Sequence, residues 1–196
     1  MTEREGNRRI TDLETLKAFG HPLRMRLYRA LFIARTATAS QLADGVGEAV
    51  SLTSYHLRKL AEHGLIEEAE GEGTDGRERW WKPASHGLSF RDEDFSDAPE
   101  KVAVKAAVTR LFFEQQAELY RSYLDQTGVW PTEWSNAATA SEYMQRLTAT
   151  ELAELNAEID AVIRRSDQRA RAAEAAGDTE GRENVAVHVY GFPFRA

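Results

Sequence analysis

One short segment concentrates hydrogen-bond donors at helical spacing. Six residues of the run SLTSYHLRKL carry a hydroxyl, a phenol or a cation: Ser51, Thr53, Ser54, Tyr55, Arg58 and Lys59. If Leu57 and Leu60 face inward, positions 54, 55, 58 and 59 lie on or beside the exposed face, and Thr53 is half-buried. Such side chains can donate to base edges and phosphates, and we expect most from the last three. On an isolated helix these residues would form an ordinary solvated surface. Whether they contact DNA instead depends on the neighbouring elements.

The residues before this segment predict two helices. Thr11 and Glu14 form a capping box for the first helix, and Gly20 is expected to end it in a left-handed conformation. Pro22 suits the first position of the second helix, whose apolar residues recur at helical spacing.

Two more helices follow, joined by a tight turn. Thr38 and Gln41 form a second capping box, and glycines at positions 45 and 47 limit the helix to a few residues. Ser51 is the expected N-cap of the next helix, and Gly64 its stop. Two short helices joined in this way make a helix-turn-helix.

A β-hairpin is predicted after the fourth helix. It turns at Asp75-Gly76, and its second strand alternates so that Trp81 faces the core. Arg77 and Arg79 follow the turn and could reach phosphates, but six acidic residues in the same hairpin oppose them: Glu67, Glu68, Glu70, Glu72, Asp75 and Glu78. Arg24, Arg26 and Arg29 on the second helix are expected to pair with those carboxylates.

The second half of the chain is predicted to be mainly helical with a short sheet. Residues 91–99 are read as a linker, and 100–126 as a long helix with two apolar stripes. Residues 129–147 are read as a loop and then a strand. Thr148 and Glu151 form a capping box for a helix reaching residue 176, and the β-branched and aromatic residues of 185–194 favour a terminal strand.

Composition excludes several classes of function. The chain has 196 residues and no cysteine, so disulfides, thiolate nucleophiles and cysteine-ligated metals are excluded. The histidines form no pair at metal-ligand spacing, and no phosphate loop, nucleophile elbow or zinc-protease motif is present. We therefore expect no catalytic residues, no metal and no cofactor. No apolar run suits a membrane span or signal peptide, which favours a cytoplasmic location.

The net charge of −7 is unevenly distributed. Residues 1–90 hold 13 Lys and Arg against 13 Asp and Glu, whereas residues 91–196 hold 12 against 19. The first part is thus free of the excess negative charge that would repel nucleic acid.

The order of elements and several residues resemble the ArsR-like family of bacterial winged helix-turn-helix transcription factors. The matching segments are AFGHPLRMRLYRAL, TASQLADGV and SLTSYHLRKLAEHGLIEE; the matching residues are Ala18, Pro22, Arg24, His56, Leu57, Leu60, Gly64 and Leu65. The resemblance covers about residues 11–85. It implies a winged helix-turn-helix DNA-binding domain over residues 1–90, a structural role for His56, and double-stranded DNA as partner. The family's metal-sensing role is not expected, because the ligands are missing.

The expected fold is mainly α with small β (α+β), with residues 100–196 as a C-terminal dimerisation domain. Regulators of this type usually bind paired half-sites as two-fold dimers, and the helix 100–126 is the first candidate for the interface, the helix 149–176 the second. The many aromatic residues of this half could line a pocket for a small apolar or aromatic effector, but a role in the core and the dimer interface is favoured. The alternative is a protein-interaction module that uses its acidic surface to bind a protein partner.

Overall fold

The chain folds into helices with two small sheets. A computed structural model describes residues 7–69, 78–85 and 87–195, which form two compact units, residues 1–125 and 126–196. The first unit contains β1 (Asn7–Arg9), α1 (Leu13–Phe19), α2 (Pro22–Ala34), β2 (Ala37–Thr38), α3 (Ala39–Val46), α4 (Val50–Glu62), β3 (Ile66–Glu68), β4 (Trp80–Pro83), β5 (Gly87–Ser89), a 3-10 helix (Asp92–Asp94) and α5 (Pro99–Asp125). The second contains α6 (Thr132–Ala137) and α7 (Ala149–Ala175). The expected α+β class is confirmed.

The strands of the first unit form two sheets. One has the antiparallel order β2-β4-β3, with Trp81 opposite both Ala37 and Glu68. The other pairs β1 with β5 in parallel. Trp81 is 4% exposed, so the second strand of the hairpin buries its tryptophan as the alternation predicts.

A single apolar core lies beneath these elements. Leucines from α1, α2 and α4 are fully buried and are joined by residues from the hairpin, the 3-10 region and α5. Its principal members are Leu16, Leu27, Leu31, Leu57, Leu60, Ile66, Trp81, Phe95 and Val108. The same core therefore fixes α4 and the hairpin relative to each other.

Helix starts agree with the sequence in part. The capping boxes at Thr38 and Thr148 are both formed. The predicted box at Thr11 is wrong, because Asp12 is the N-cap and accepts a hydrogen bond from the backbone N–H of Thr15. Ser51 is not the N-cap of α4, since the helix starts one residue before it and Ala49 takes that position without a side-chain bond.

Gly20 was expected to be left-handed, and this is wrong: its φ is −68°. Its importance is spatial, because a Cβ at this position would clash with Cγ2 of Val108 on α5. The glycine thus permits close approach of α1 and α5. A second contact holds α5, since Gln115 donates to the carbonyl of Pro22 at 3.0 Å.

Helix α5 has two different faces. Val108 is buried in the core, and Leu111 and Phe112 pack against it. Phe113 and Tyr120 stand on the other side, 55% and 44% exposed. The first compact unit thus runs through residues 91–99 to Asp125, while the division into a DNA-binding part and a dimerisation part stays a prediction.

The second unit corrects two strand predictions. Residues 129–147 contain α6 and no strand, and residues 185–194 form no strand in the described part of the chain. The β-forming composition of the terminal segment is real, but a strand requires a partner strand and this segment has none. No described residue of this unit is buried, and Val185, Val187 and Phe192 are 67%, 63% and 70% exposed.

Candidate nucleic-acid interface

Helices α3 and α4 are joined by a tight turn. Gly47 ends α3 with φ +68°, a conformation that favours glycine, and its backbone N–H donates to the last turn of the helix. Leu42 of α3 and Leu57 and Leu60 of α4 are buried. These anchors turn the opposite face of α4 to the solvent.

The predicted contact residues of α4 differ in solvent exposure and are exposed, half-buried or buried. Ser51, Tyr55 and Arg58 are exposed, with Tyr55 at 48%. Ser54 and Lys59 are half-buried. Thr53 is corrected: its exposed fraction is 0% rather than intermediate, so its hydroxyl does not reach the surface. The reason is that position 53 lies one turn before Leu57 on the buried side.

The two cations of α4 differ in their partners. Lys59 donates to the carboxylate of Glu62 one turn later, at 2.6 Å. This ion pair raises the pKa of Lys59 through the hydrogen bond to Glu62 and its charge. Arg58 makes no hydrogen bond or ion pair with another described residue. Arg58 is thus the cation of this face that is available to an external anion.

The base of the hairpin carries two ion pairs between β3 and β4. Arg79 contacts Glu68 at 2.6 Å and lies 5.5 Å from the centre of the Trp81 ring. Lys82 contacts Glu67 at 3.2 Å. Each of these two cations therefore has a carboxylate partner on β3. Arg77 lies outside the described residues.

A groove of about 340 Å³ separates the hairpin from α4. Its walls are the start of α3, the outer side of α4 and strand β4; Ser54, Arg58 and Arg79 line it. Ser40 also lines it and donates to Glu78 at 3.1 Å.

Sequence reasoning missed three features of this face. Ser40 and Glu78 lie in the groove because the hairpin packs beside α3, a long-range contact that local patterns do not show. Leu52 is 41% exposed on α4, next to Ser51. It was detectable, since it falls outside the buried stripe set by Leu57 and Leu60.

Two histidines pack together beneath α4. The rings of His21 and His56 are 4.5 Å apart, and His21 Nδ1 accepts a hydrogen bond from the backbone N–H of Leu23. Burial lowers the pKa of His56, and the nearby His21 and Arg24 lower it further. Burial also lowers the pKa of His21, with a smaller contribution from Arg24. His56 is 5% exposed, as the structural role implied by the resemblance requires.

Among the described residues, the arginines of α2 make no ion pair with Glu67, Glu68 or Glu78, which corrects that expectation for these three; Glu70, Glu72 and Asp75 lie outside the described residues. Arg24 donates to the carbonyls of Lys17 and Ala18. Arg26 donates to the carbonyl at the end of α3 and lies 3.6 Å from Glu48, and Arg29 donates to a carbonyl of α5. These bonds connect α2 with α1, α3 and α5.

The described residues hold neither a metal cluster nor a membrane-spanning helix. No group of three or more His, Asp or Glu residues there is arranged to hold a metal ion. None of the helices there has the length and hydrophobicity needed to cross a bilayer.

Comparison with known proteins identifies the class. Residues 19–69 match the sequence profile of a helix-turn-helix domain, and this confirms the winged helix-turn-helix resemblance for the segment that contains α2, α3 and α4. Residues 19–69 thus carry the sequence pattern of a helix-turn-helix domain. No curated protein matches the chain.

Solved structures similar to the chain include the transcriptional repressor PagR of Bacillus anthracis, with 18% identity over 49% of this chain and 91% of that one. Another is a possible transcriptional regulator for arsenical resistance, with 27% identity over 58% and 97%. A third is the disulfide-formed AbfR, with 13% identity over 59% and 75%. The TM-score is 0.32 for each, too low to establish a shared overall fold, so the assignment rests on the profile match.

Proposed function

We propose that this protein is a sequence-specific DNA-binding transcriptional regulator that acts as a homodimer. The observation that carries the proposal is the outer face of α4, where Tyr55 and Arg58 stand exposed on the second helix of a helix-turn-helix. This helix enters the major groove in proteins with the motif. Its buried leucines leave the polar residues, together with the exposed Val50 and Leu52, to meet the bases.

The residues of this face have distinct proposed roles. Arg58 donates to a guanine edge or a phosphate, because its guanidinium has five donors and, among the described residues, no competing carboxylate in hydrogen-bond contact. Tyr55, Ser51 and Ser54 donate to bases or to the DNA backbone. Lys59 is a weaker contact, since Glu62 must first release it.

The hairpin has a secondary role in this proposal. Arg79 approaches a phosphate from the other wall of the groove. Arg77 follows the Asp75-Gly76 pair in the sequence and is proposed as a second phosphate contact, although it lies outside the described residues. Because Arg79 is paired with Glu68, its attraction to DNA is reduced.

The reason to propose a dimer is that helix-turn-helix regulators usually bind paired half-sites as two-fold dimers. The exposed apolar face of α5 and the absence of buried residues in the described part of the second unit leave surface that a second copy would cover. We also propose a cytoplasmic location, no enzymatic activity and no metal sensing. The last of these is supported by the chain's lack of cysteine and of His pairs at metal-ligand spacing.

The experiment is fluorescence anisotropy with a duplex from upstream of the protein's own gene. The wild type should bind it more tightly than an unrelated duplex, and binding should weaken as salt rises. Arg58→Ala should reduce affinity about 10-fold, because it removes a contact worth about 1–3 kcal/mol. Lys59→Ala should have a clearly smaller effect.

Lys17→Ala is the control, since it removes one positive charge from an exposed position of α1, away from α4 and from the exposed face of α5. It should leave affinity unchanged. Equal losses for Arg58→Ala and Lys17→Ala would show that only net charge matters and would contradict the α4 interface. Absence of DNA binding at low and moderate salt would favour the alternative, a module that binds a protein partner.

A further inference from the structure

Glu78 places a carboxylate in the groove between the hairpin and α4. It lines this groove together with Arg58 and Arg79, and it is exposed to solvent. Its Oε1 accepts a hydrogen bond from Oγ of Ser40 at 3.1 Å. Because the donor is a neutral hydroxyl, this bond fixes the carboxylate in position without cancelling its charge.

The charges that line the groove nearly cancel. Arg79 is already paired with Glu68 at 2.6 Å. Of the described residues that line the groove, Arg58 and Glu78 are the charged ones that form no ion pair with another described residue. One positive and one negative charge are left over, so the groove offers an anion little net attraction.

This groove lies where one strand of a bound duplex would pass. An element in the major groove has a sugar-phosphate strand on either side of it, and the groove runs beside α4 on the side of the hairpin. Hydroxyl and guanidinium groups are common donors to such strands, and Ser40, Ser54 and Arg58 line the groove with these groups. A phosphate bound there would also meet the carboxylate of Glu78.

We propose that Glu78 is a built-in competitor of the DNA backbone, which occupies Ser40 and offsets Arg58 until a phosphate takes its place. This inference rests on the proposed function and names a residue that limits the affinity of the same site. When DNA binds, the hydroxyl of Ser40 changes its acceptor from the carboxylate to a phosphate oxygen. Glu78 then turns towards the solvent, away from the phosphate charge.

The bond between Ser40 and Glu78 can open without disturbing the fold. Ser40 is half-buried and Glu78 is exposed, and neither belongs to the apolar core. The start of α3 is held by other bonds, because Thr38 Oγ1 accepts from the backbone N–H of Gln41 and Gln41 Oε1 accepts from that of Thr38. The exchange of acceptors therefore costs no helix cap.

The test is fluorescence anisotropy on one duplex over a range of salt concentrations. Glu78→Gln keeps an acceptor for Ser40 but removes the charge, and it should raise affinity about 5-fold at low salt. The slope of log affinity against log salt should steepen by up to about 0.9, since one more phosphate is neutralised. Glu78→Ala, which also releases the hydroxyl, should raise affinity at least as much.

Ser40→Ala separates the charge of Glu78 from the exchange of acceptors. In the wild type it should change affinity less than about 2-fold, because the hydroxyl only replaces one anionic acceptor by another. In the Glu78→Ala background the hydroxyl meets the phosphate without competition. There Ser40→Ala should reverse part of the gain, by about 3-fold.

Glu14→Gln is the control, because it removes the same charge from an exposed position of α1 that does not line the groove. It should bind DNA like the wild type. Circular dichroism at 222 nm checks that every variant keeps its helices.

Three results would overturn the proposal: unchanged affinity in both Glu78 variants, an equal gain in Glu14→Gln, or an effect of Ser40→Ala that is the same in both backgrounds. If Arg58→Ala weakens binding while the Glu78 variants match the wild type, the DNA-binding function stands and the competitor fails. If neither the wild type nor Glu78→Ala binds DNA, both proposals fail. Binding by Glu78→Ala alone would support both.

Discussion

At the scale of single residues, partners decide what a side chain can do. Arg58 and Lys59 are adjacent cations on α4, yet Lys59 is held by Glu62 while Arg58 has no carboxylate in hydrogen-bond contact among the described residues. The sequence showed both Lys59 and Glu62 three residues apart, and helix geometry makes that spacing a contact. It could not show whether a more distant carboxylate would reach Arg58, because that depends on how the hairpin packs.

Thr53 illustrates the opposite case, a polar side chain taken into the core. Its Oγ1 is buried and has no hydrogen-bond partner among the described residues. Thr53→Val should therefore raise the free energy of unfolding by about 1 kcal/mol, because it replaces an unsatisfied hydroxyl by a methyl group. Urea denaturation measures this. DNA affinity should not change.

Thr38 is the matched comparison for Thr53, since it is 2% exposed but caps α3. Thr38→Val should lower the free energy of unfolding by about 0.5–2 kcal/mol. If Thr53→Val also destabilised the protein, or weakened DNA binding selectively, the placement of Thr53 in the core would be contradicted.

At the scale of elements, the approach of α1 to α5 depends on one missing side chain. Gly20→Ala should lower the free energy of unfolding by about 1–3 kcal/mol, because the added methyl group overlaps Cγ2 of Val108. The double variant Gly20→Ala/Val108→Ala should be more stable than the sum of the single effects predicts. Thermal and urea denaturation of the four proteins give this coupling.

Gly45 supplies the control for a glycine in a helix. It lies within α3, and a Cβ there would meet open space. Gly45→Ala should stabilise the protein by about 0.5–1 kcal/mol through helix propensity alone. Equal behaviour of the two alanine variants would refute the steric role of Gly20.

The contact between α2 and α4 should make stability depend on pH. His21 and His56 both have a pKa below the ordinary value of 6.5, and Arg24 and Glu48 are the charged groups that act on His56 from outside the pair. A lowered pKa means that the unfolded chain binds protons more readily. The free energy of unfolding should thus be level above pH 6.5 and fall as the pH drops below it.

Urea denaturation between pH 7.5 and 5 isolates this effect. Asp12 and Asp94 have pKa values lowered from 3.8 and titrate below the window. His56→Gln should flatten the slope, which is at most about 1.4 kcal/mol per pH unit for each proton. An unchanged slope in His56→Gln would exclude the buried histidine as its origin.

Local signals predicted the elements unevenly. The capping boxes at Thr38 and Thr148 were predictable because their hydrogen bonds join residues within four positions of each other. Pro22 was predictable as the first residue of α2 because its ring suits that position. Ser51 looked like a cap by type, but α4 begins one residue before it because Val50 and Ala49 already adopt the starting geometry. The predicted strand at residues 185–194 is wrong because β-propensity is a property of one segment. A strand also needs a second segment to pair with, and propensity does not show whether one is present.

At the scale of the whole molecule, the two compact units differ in how far sequence reasoning reaches. The first has a core whose leucines recur at helical spacing, and the helix-turn-helix and buried Trp81 followed from that pattern. The second keeps its apolar residues exposed, so no pattern of burial within one chain could be predicted for it.

The cross-strand ion pairs at the base of the hairpin also bear on how such a regulator would search a genome. Every cation engaged with a carboxylate is one fewer to displace counterions from random DNA. With about 10⁶–10⁹ competing sites in a genome, weak attachment to each of them leaves more copies free to find the operator. The pairs Glu67–Lys82 and Glu68–Arg79 would thus let a small number of molecules occupy their target.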